Sequence, residues 1–520
     1  MTDSDARTAR GAAALYLANL TALGLNTLFL VFLTNYYASN QGEVGLVSFL
    51  NVVLVSVATV AVLASPLVGA GVATPPAVTR FLSQYRESAD RSGRSVYRLS
   101  LAVCGAISLA ILLLSAYPPV ASLVAGSSEG EAVFFACLDG LVYSFAQLGA
   151  YSMLGNNRAP LAGKAIIVSS ISRYVFASIF LFAGFGPAGI FGGFALGDLF
   201  LAIYSNSRTI RDLRGRPMAG IPMGPVFRYM SSVFLAALMG LAVSQSDKFL
   251  AFLQLGLPKL AVYNVATVGA AVATFVPNAV TNVLVPSLVG HGGDEAETKR
   301  TLLSYTRHIS LIAMPIGFVL AAISPFLLRV FDLFQPSSTD VYATGAPIMA
   351  VIALSIALTA VSAVYSSSLL VDDRAHHFAI STVIGLAALV LVAFVTVPSQ
   401  GAVGIAYARS AMLFVSLGFM AYFVWRAGRL VLDRAAYAKS LGASALMAVL
   451  VFGLLSLAGR VVLGRLAIVF ASIVMIPVGF AFYLLVMKLM KAFAEEDVAF
   501  LESLLPARLM IVSRIARKFL

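Results

Sequence analysis

The stretch that decides the fold is VGIAYARSAMLFVSLGFMAYFVW, residues 403–425, followed by RAGRLVLDRAAYAK, residues 426–439. The first part is almost uncharged, and as a helix it is long enough to cross the hydrocarbon core of a bilayer, which takes about 20 residues. Basic residues crowd directly behind it, as the positive-inside rule predicts for a cytoplasmic loop. The stretch therefore predicts a membrane-spanning helix that ends in the cytoplasm.

The same kind of apolar run recurs along the whole chain. Fourteen runs are long enough to span a membrane, and they predict an all-α integral membrane protein with about 14 transmembrane helices. The predicted spans are Ala12–Tyr37, Val44–Ala70, Leu99–Ala125, Ala132–Leu154, Leu161–Ala183, Ala188–Tyr204, Phe227–Leu255, Leu260–Leu288, Leu302–Val330, Tyr342–Leu370, Phe378–Val397, Val403–Trp425, Ala438–Leu457 and Leu466–Met490.

The basic residues support this segmentation, because they avoid every second connection. The odd-numbered connections hold only four of the 35 lysines and arginines, which are Lys259, Arg329, Arg460 and Arg465. Three more, Arg173, Lys248 and Arg409, lie within spans. All the others fall in the N-terminal segment, the even-numbered loops or the C-terminal tail. This asymmetry predicts a multi-pass protein of the cytoplasmic membrane with both termini cytoplasmic.

The composition excludes several classes of protein. Hydrophobic residues make up 60% of the chain and charged residues 11%, against roughly 45–50% and about 25% in soluble domains. The net charge of +12 sits in inner loops, where anionic lipids attract it, so a nucleic-acid partner is not expected. The two cysteines lie in apolar runs and indicate neither a disulfide framework nor a metal site. Without a nucleotide-binding motif or a catalytic cluster, neither a cofactor nor an enzymatic activity is predicted.

A similar order of elements in the two halves indicates an internal repeat. A proline-containing span exit, a charged loop and an Arg-led span start follow both the second and the eighth span. We therefore predict an N-terminal six-helix bundle at residues 1–216 and a C-terminal six-helix bundle at 217–430. Two additional transmembrane helices at 431–490 and a cytoplasmic amphipathic tail at 491–520 would follow. Parallel repeats place their substrate at the interface near the midplane.

Charges inside the bilayer are costly and therefore point to function or to pairing. The cations Arg173, Lys248 and Arg409 are predicted to bind substrate, because arginine and lysine suit phosphate oxygens. The acids Asp139, Asp198 and Asp247 are predicted to couple transport to a proton or sodium ion. Buried ion pairs that only fix helix packing remain an open alternative for these groups.

Amide side chains accompany these charges in several spans and suit sugar hydroxyl groups. They are equally able to join helices to one another. The amides predicted to bind substrate are Asn26, Asn51, Gln147, Gln245 and Asn278.

Four short stretches resemble segments of a known family. GVATPPAVTRFLSQY, residues 71–85, resembles the exit of the second span in Wzx-type polysaccharide flippases, and SQSDKFL, residues 244–250, is similar to their seventh span. LAVYNVA, residues 260–266, resembles the opening of their eighth span, although Ala261 stands where glycine is common. The tail at residues 495–506 looks like tails of archaeal members.

This resemblance implies the multidrug/oligosaccharidyl-lipid/polysaccharide (MOP) superfamily. It implies two six-helix bundles around a central cavity and alternating access. The implied substrate is a polyprenyl phosphate- or pyrophosphate-linked oligosaccharide, and membrane lipids and a coupling ion are the other expected partners.

Three alternatives stay open at this point. An ion-coupled organic-cation antiporter of the same fold would need acidic residues without neighbouring bases. A lipid II flippase would carry arginines in its first span, where this chain has none after Arg10. A polymerase or glycosyltransferase of lipid-linked sugars would need larger outer loops than the one at residues 331–341.

Overall fold

A computed structural model describes most of the chain. The described residues are 3–64, 92–119, 130–155, 158–214, 223–275, 277–278, 280–281, 284, 288, 295–334, 340–371, 374–461 and 464–492. They form α-helices, short 3-10 turns and connecting loops, which confirms the predicted all-α class. They divide into two compact units, Met1–Ala261 and Val262–Leu520. The predicted bundle limits at residues 216 and 430 stay predictions.

In the part of the chain that the structure describes, the first unit contains six complete helices and most of a seventh. In it α6 packs against both α4 and α5, and α1 packs against α5. The helices are α1 (Asp3–Tyr36), α2 (Gln41–Ala64), α3 (Ser92–Ser115), α4 (Gly130–Gly155), α5 (Ala159–Phe182), α6 (Gly186–Asp212) and most of α7 (Met223–Ala270).

The second unit contains the end of α7 and seven further helices. Its core joins buried side chains of several helices, among them Ile309, Val364, Leu369 and Met420. The helices are α8 (Glu295–Leu327), α9 (Ala346–Leu358), α10 (Ser362–Val371), α11 (Ala375–Gln400), α12 (Ala402–Arg426), α13 (Arg434–Val461) and α14 (Arg465–Leu489).

The apolar character of these helices makes the protein a multi-pass membrane protein. Within the described residues, nine helices are long and apolar enough to cross a membrane, and a bent pair forms a tenth span. Three shorter apolar helices, Leu20–Tyr36, Gln41–Ser56 and Ser100–Ser115, correspond to the first three predicted spans. Large apolar side chains face outward, with Phe394 at 68%, Val395 at 77% and Val449 at 72% exposed. Such surface is stable only against lipid.

The tenth predicted span is broken in its middle. It comprises Tyr342–Leu358 and Ser362–Leu370, which meet at an angle of 51°. A break frees backbone carbonyl groups, which need partners inside a membrane. The Tyr437 hydroxyl supplies one by donating a hydrogen bond to the Leu358 carbonyl oxygen, at 3.0 Å.

The seventh and eighth predicted spans are joined without a long loop. Gly256 interrupts α7 with a positive φ of 76°, which favours glycine. The turn lies where the sequence predicts the connection between residues 255 and 260. The described residues leave out the loop at residues 77–91, the tail from residue 493 and seven residues in the second half of the predicted eighth span.

Candidate functional site

Three of the charges predicted within spans meet inside the first unit. The guanidinium group of Arg173 on α5 donates from Nη1 to Asp198 Oδ2 on α6, at 3.1 Å. From Nη2 it donates to Asp139 Oδ2 on α4, at 3.2 Å. Asp139 is 0% and Asp198 3% exposed, and the Arg173 side chain is 14% exposed. One cation therefore ties three neighbouring helices together.

Close packing of α5 against α6 brings this triad together. Glycines recur every fourth residue on α6, at Gly189, Gly193 and Gly197. A Cβ atom at Gly193 would overlap the backbone of Ala177, and one at Gly197 would overlap the backbone of Arg173. Small residues at this spacing let two membrane helices approach backbone to backbone. Asp198 is the next residue after Gly197, so the same approach brings its carboxylate to Arg173.

Neighbouring side chains complete the surroundings of the triad. Ser169, one helical turn before Arg173, donates from Oγ to Asp198 Oδ1, at 2.9 Å. The ring of Phe194 lies 4.1 Å from the Arg173 guanidinium carbon, and the ring of Tyr143 lies 5.7 Å from it. Aromatic faces attract a cation electrostatically, more strongly where water is excluded.

A second polar link joins this region to α1. Tyr174, the residue after Arg173, donates its hydroxyl hydrogen bond to Asn26 Oδ1, at 3.2 Å. The ring of Tyr174 also lies 5.2 Å from that of Phe29. Asn26, predicted to bind substrate, therefore holds α1 to α5 in this structure.

The formal charges of the triad do not balance. Two carboxylates face one guanidinium group, and Asp139 Oδ1 accepts no hydrogen bond from the described residues. A buried excess charge is expensive in a low-dielectric interior. Arg173 forms an ion pair with each carboxylate. These three residues therefore fit the alternative that buried ion pairs fix helix packing. Whether they also carry a coupling ion is a separate question.

The remaining predicted site residues differ in burial. Asp247 on α7 is 0% exposed, while Gln245 and Lys248 on the same helix are half-buried. The Oε1 atom of Gln245 accepts no hydrogen bond from the described residues. The others are Asn51 on α2 and Gln147 on α4, both half-buried, Asn278, which is exposed, and Arg409 on α12, which is half-buried.

The sequence interpretation missed the residues that assemble the triad. Ser169 lies four residues before Arg173, a spacing that places both on one helix face. The Gly189, Gly193 and Gly197 repeat was equally visible, and it is typical of close helix contacts. Phe194 and Tyr143 gave no comparable signal, because aromatic residues are common throughout the spans.

Solved structures of similar fold are membrane transporters. The chain resembles the lipid II flippase MurJ in an inward closed conformation, with a TM-score of 0.65, 14% identity, and coverage of 91% of this chain and 98% of that one. It resembles an inward-facing multidrug resistance MATE family transporter of the MOP superfamily, with a TM-score of 0.54, 15% identity, and coverage of 81% and 94%. It also resembles a mutant of the Vibrio cholerae MATE transporter VcmN, with a TM-score of 0.56, 13% identity, and coverage of 84% of this chain and 98% of that one. Sequence identities this low show a shared fold and nothing further.

The chain shares the fold of these transporters, as the sequence resemblance implies. Residues 52–331 match the family described as "Polysaccharide biosynthesis protein". This match covers more than half of the 520 residues, and the chain belongs to that family. No curated protein sequence matches the chain.

Proposed function

We propose that the protein flips a polyprenyl phosphate- or pyrophosphate-linked oligosaccharide across the cytoplasmic membrane by alternating access. The observation that carries this proposal is that Arg173 holds both Asp139 and Asp198. Membership of a polysaccharide biosynthesis family supports the saccharide part of the substrate. The MurJ structure of similar fold is that of a lipid II flippase, which supports a lipid-linked one.

The engaged carboxylates favour an anionic substrate over an organic cation. A cation-binding transporter needs a carboxylate that the substrate can reach, since an ion pair already formed offers little further attraction. The three acids predicted to lie within spans are Asp139, Asp198 and Asp247, and each is at most 3% exposed. Two of the three are held by Arg173.

We assign the head-group contacts to the other two intramembrane cations. Lys248 and Arg409 are half-buried residues, whereas the three acids are buried. Each of them, within its own unit, would offer a charge-assisted hydrogen bond to a phosphate oxygen. Arg173 would instead act as a positioning residue that keeps α4, α5 and α6 together. Gln245, Asn51, Gln147 and Asn278 would supply hydrogen bonds to sugar hydroxyl groups.

The basic loops are the basis for the proposed orientation of the protein in the membrane. We place both termini in the cytoplasm, with the loop at residues 426–433 on the same side. Asp247, buried one residue before Lys248, is the proposed carrier of a coupling proton or sodium ion. The second candidate function, an ion-coupled organic-cation antiporter, draws its support from the excess negative charge of the triad.

Variants of the two cations test the proposal in liposomes. The purified protein would be reconstituted with a fluorescent polyprenyl-pyrophosphate oligosaccharide, and an impermeant reagent would report which head groups face outward. We expect Lys248→Gln and Arg409→Gln each to slow flipping at least tenfold, since each removes a charge-assisted contact. The exposed Lys259→Gln and Arg426→Gln are matched controls that should flip at the wild-type rate. Wild-type flipping by both site variants would refute the head-group assignment.

A further inference from the structure

A groove of about 620 Å³ opens on the second unit. Its lining comes from α8, from α9 and α10 at the break between them, from α12, from the segment that connects α12 to α13 and from the start of α13. Most of the lining is apolar, and it includes Leu303, Leu358, Val361, Leu417 and Ala421. None of these residues belongs to the charged site of the first unit.

The polar groups of the groove are almost all engaged within the protein. The Tyr437 hydroxyl donates to the Leu358 carbonyl oxygen, at 3.0 Å. The Tyr365 hydroxyl donates to the Val431 carbonyl oxygen, at 3.1 Å. Among the lining residues, all of them in the described part of the chain, Arg434 carries the one charge. The groove therefore offers an apolar wall and a single cation, and little that would recognise a sugar.

Arg434 stands where an anion is favoured. It is the first residue of α13, and the N-terminal end of a helix carries partial positive charge. Asp433 lies beside it, but its carboxylate is engaged at both oxygens. Oδ1 accepts the Ala436 amide, at 2.9 Å, and Oδ2 accepts Arg307 Nη1, at 3.1 Å. Arg434 itself is exposed and faces no other carboxylate within salt-bridge distance among the described residues.

The groove reaches a break that lies about one leaflet deep in the tenth span. It extends from Arg434 to Leu358 and Val361 at the break of the tenth span. Between that break and the end of α10 lie the 10 residues of Ser362–Val371, which rise about 15 Å as a helix. Half of the hydrocarbon core is also about 15 Å thick. A phospholipid acyl chain has this reach, whereas a polyprenyl chain is several times longer.

We propose that this groove binds one anionic phospholipid of the cytoplasmic leaflet, with its phosphate on Arg434 and an acyl chain along Leu417, Ala421 and Val361. The bound lipid covers the apolar wall beside the broken span. The assignment uses the proposed orientation of the loop at residues 426–433, and it does not depend on which substrate the protein transports.

Native mass spectrometry of the full-length protein in detergent tests this site. Phosphatidylglycerol, phosphatidylcholine and polyprenyl phosphate would be added separately, and bound molecules counted. We expect one phosphatidylglycerol to bind at least tenfold more tightly than phosphatidylcholine. Any binding of polyprenyl phosphate at the proposed transport site should be the same in the wild type and in Arg434→Gln. Arg434→Gln should abolish the preference for the anionic lipid. Ala421→Phe, which fills the groove, should weaken the binding of this lipid about tenfold.

A control variant separates the site from general surface charge. Arg426→Gln removes an exposed basic residue that does not line the groove, and binding should remain at the wild-type level. Each variant would first be checked for unchanged helical content. Equal binding of the anionic and zwitterionic lipids, a loss of polyprenyl phosphate binding in Arg434→Gln, or equal losses in Arg426→Gln and Arg434→Gln would overturn the proposal.

Discussion

Gly197 of α6 lies directly against the backbone of Arg173 on α5, and a methyl group at residue 197 would overlap it. The residue after Gly197 is Asp198, whose carboxylate receives the Arg173 hydrogen bond. The close approach of the two helices and the ion pair are therefore one feature. Its consequences for stability are measurable without knowing the substrate.

Enlarging residue 197 should separate α5 from α6. We expect Gly197→Val to lower the free energy of unfolding by about 1–3 kcal/mol, the usual cost of overpacking, and to loosen the triad as well. Thermal unfolding in detergent, followed by circular dichroism, measures the change. Gly192→Ala is the matched control on the same helix, because its nearest neighbour would be Phe135 Cδ1, at 3.6 Å. An unfolding midpoint for Gly197→Val equal to that of the control would disprove the close contact.

Removing the cation of the triad should cost more than removing a surface cation. Arg173→Met leaves two buried carboxylates uncompensated, and breaking a buried pair in this way costs about 3–5 kcal/mol. Arg158→Met removes an ion pair to Asp212 in which the arginine side chain is 52% exposed, and it should cost less than about 1 kcal/mol. Both are measured as shifts of the unfolding midpoint.

A triple variant separates the contribution of the Arg173 charge from that of its packing. Adding Asp139→Asn and Asp198→Asn to Arg173→Met removes the stranded charges, and much of the lost stability should return. If the triple variant is no more stable than Arg173→Met alone, the guanidinium group matters through its packing rather than through its charge.

The broken tenth span depends on a hydroxyl group from α13. Tyr437→Phe removes the part-buried hydrogen bond that the Leu358 carbonyl receives at 3.0 Å, and the loss of such a bond costs about 0.5–1.5 kcal/mol. We expect a lower unfolding midpoint and faster amide hydrogen exchange in α9 and α10. Tyr422→Phe, at an exposed position on α12, is the control. Unchanged exchange in Tyr437→Phe would show that the break does not need this bond.

The membrane architecture was predictable because its signal is strong and local. Long apolar runs and basic loops follow from the cost of burying charge and backbone polar groups in lipid. The break at residues 359–361 was not predictable, because Thr359, Ala360 and Val361 include neither proline nor glycine. It depends on partners elsewhere in the chain, such as Tyr437.

The candidate site was predictable by residue but not by arrangement. Hydropathy singled out Asp139, Arg173 and Asp198 as costly intramembrane charges. Their pairing depends on which helices are neighbours and on the rotation of each helix. The glycine repeat of α6 carried part of that information. Lys248 and Arg409 were found in the same way, and the flipping experiment tests their proposed role in binding a head group.

We propose that the substrate is an anion and not an organic cation. Offering both kinds of substrate to the same protein decides between them. Wild-type protein in liposomes would be offered the fluorescent polyprenyl-pyrophosphate oligosaccharide and, in parallel, a fluorescent organic cation under proton and sodium gradients. We expect protein-dependent flipping of the anionic lipid and no efflux of the cation. Gradient-driven efflux of the cation without movement of the lipid would contradict the proposal and would establish the antiporter.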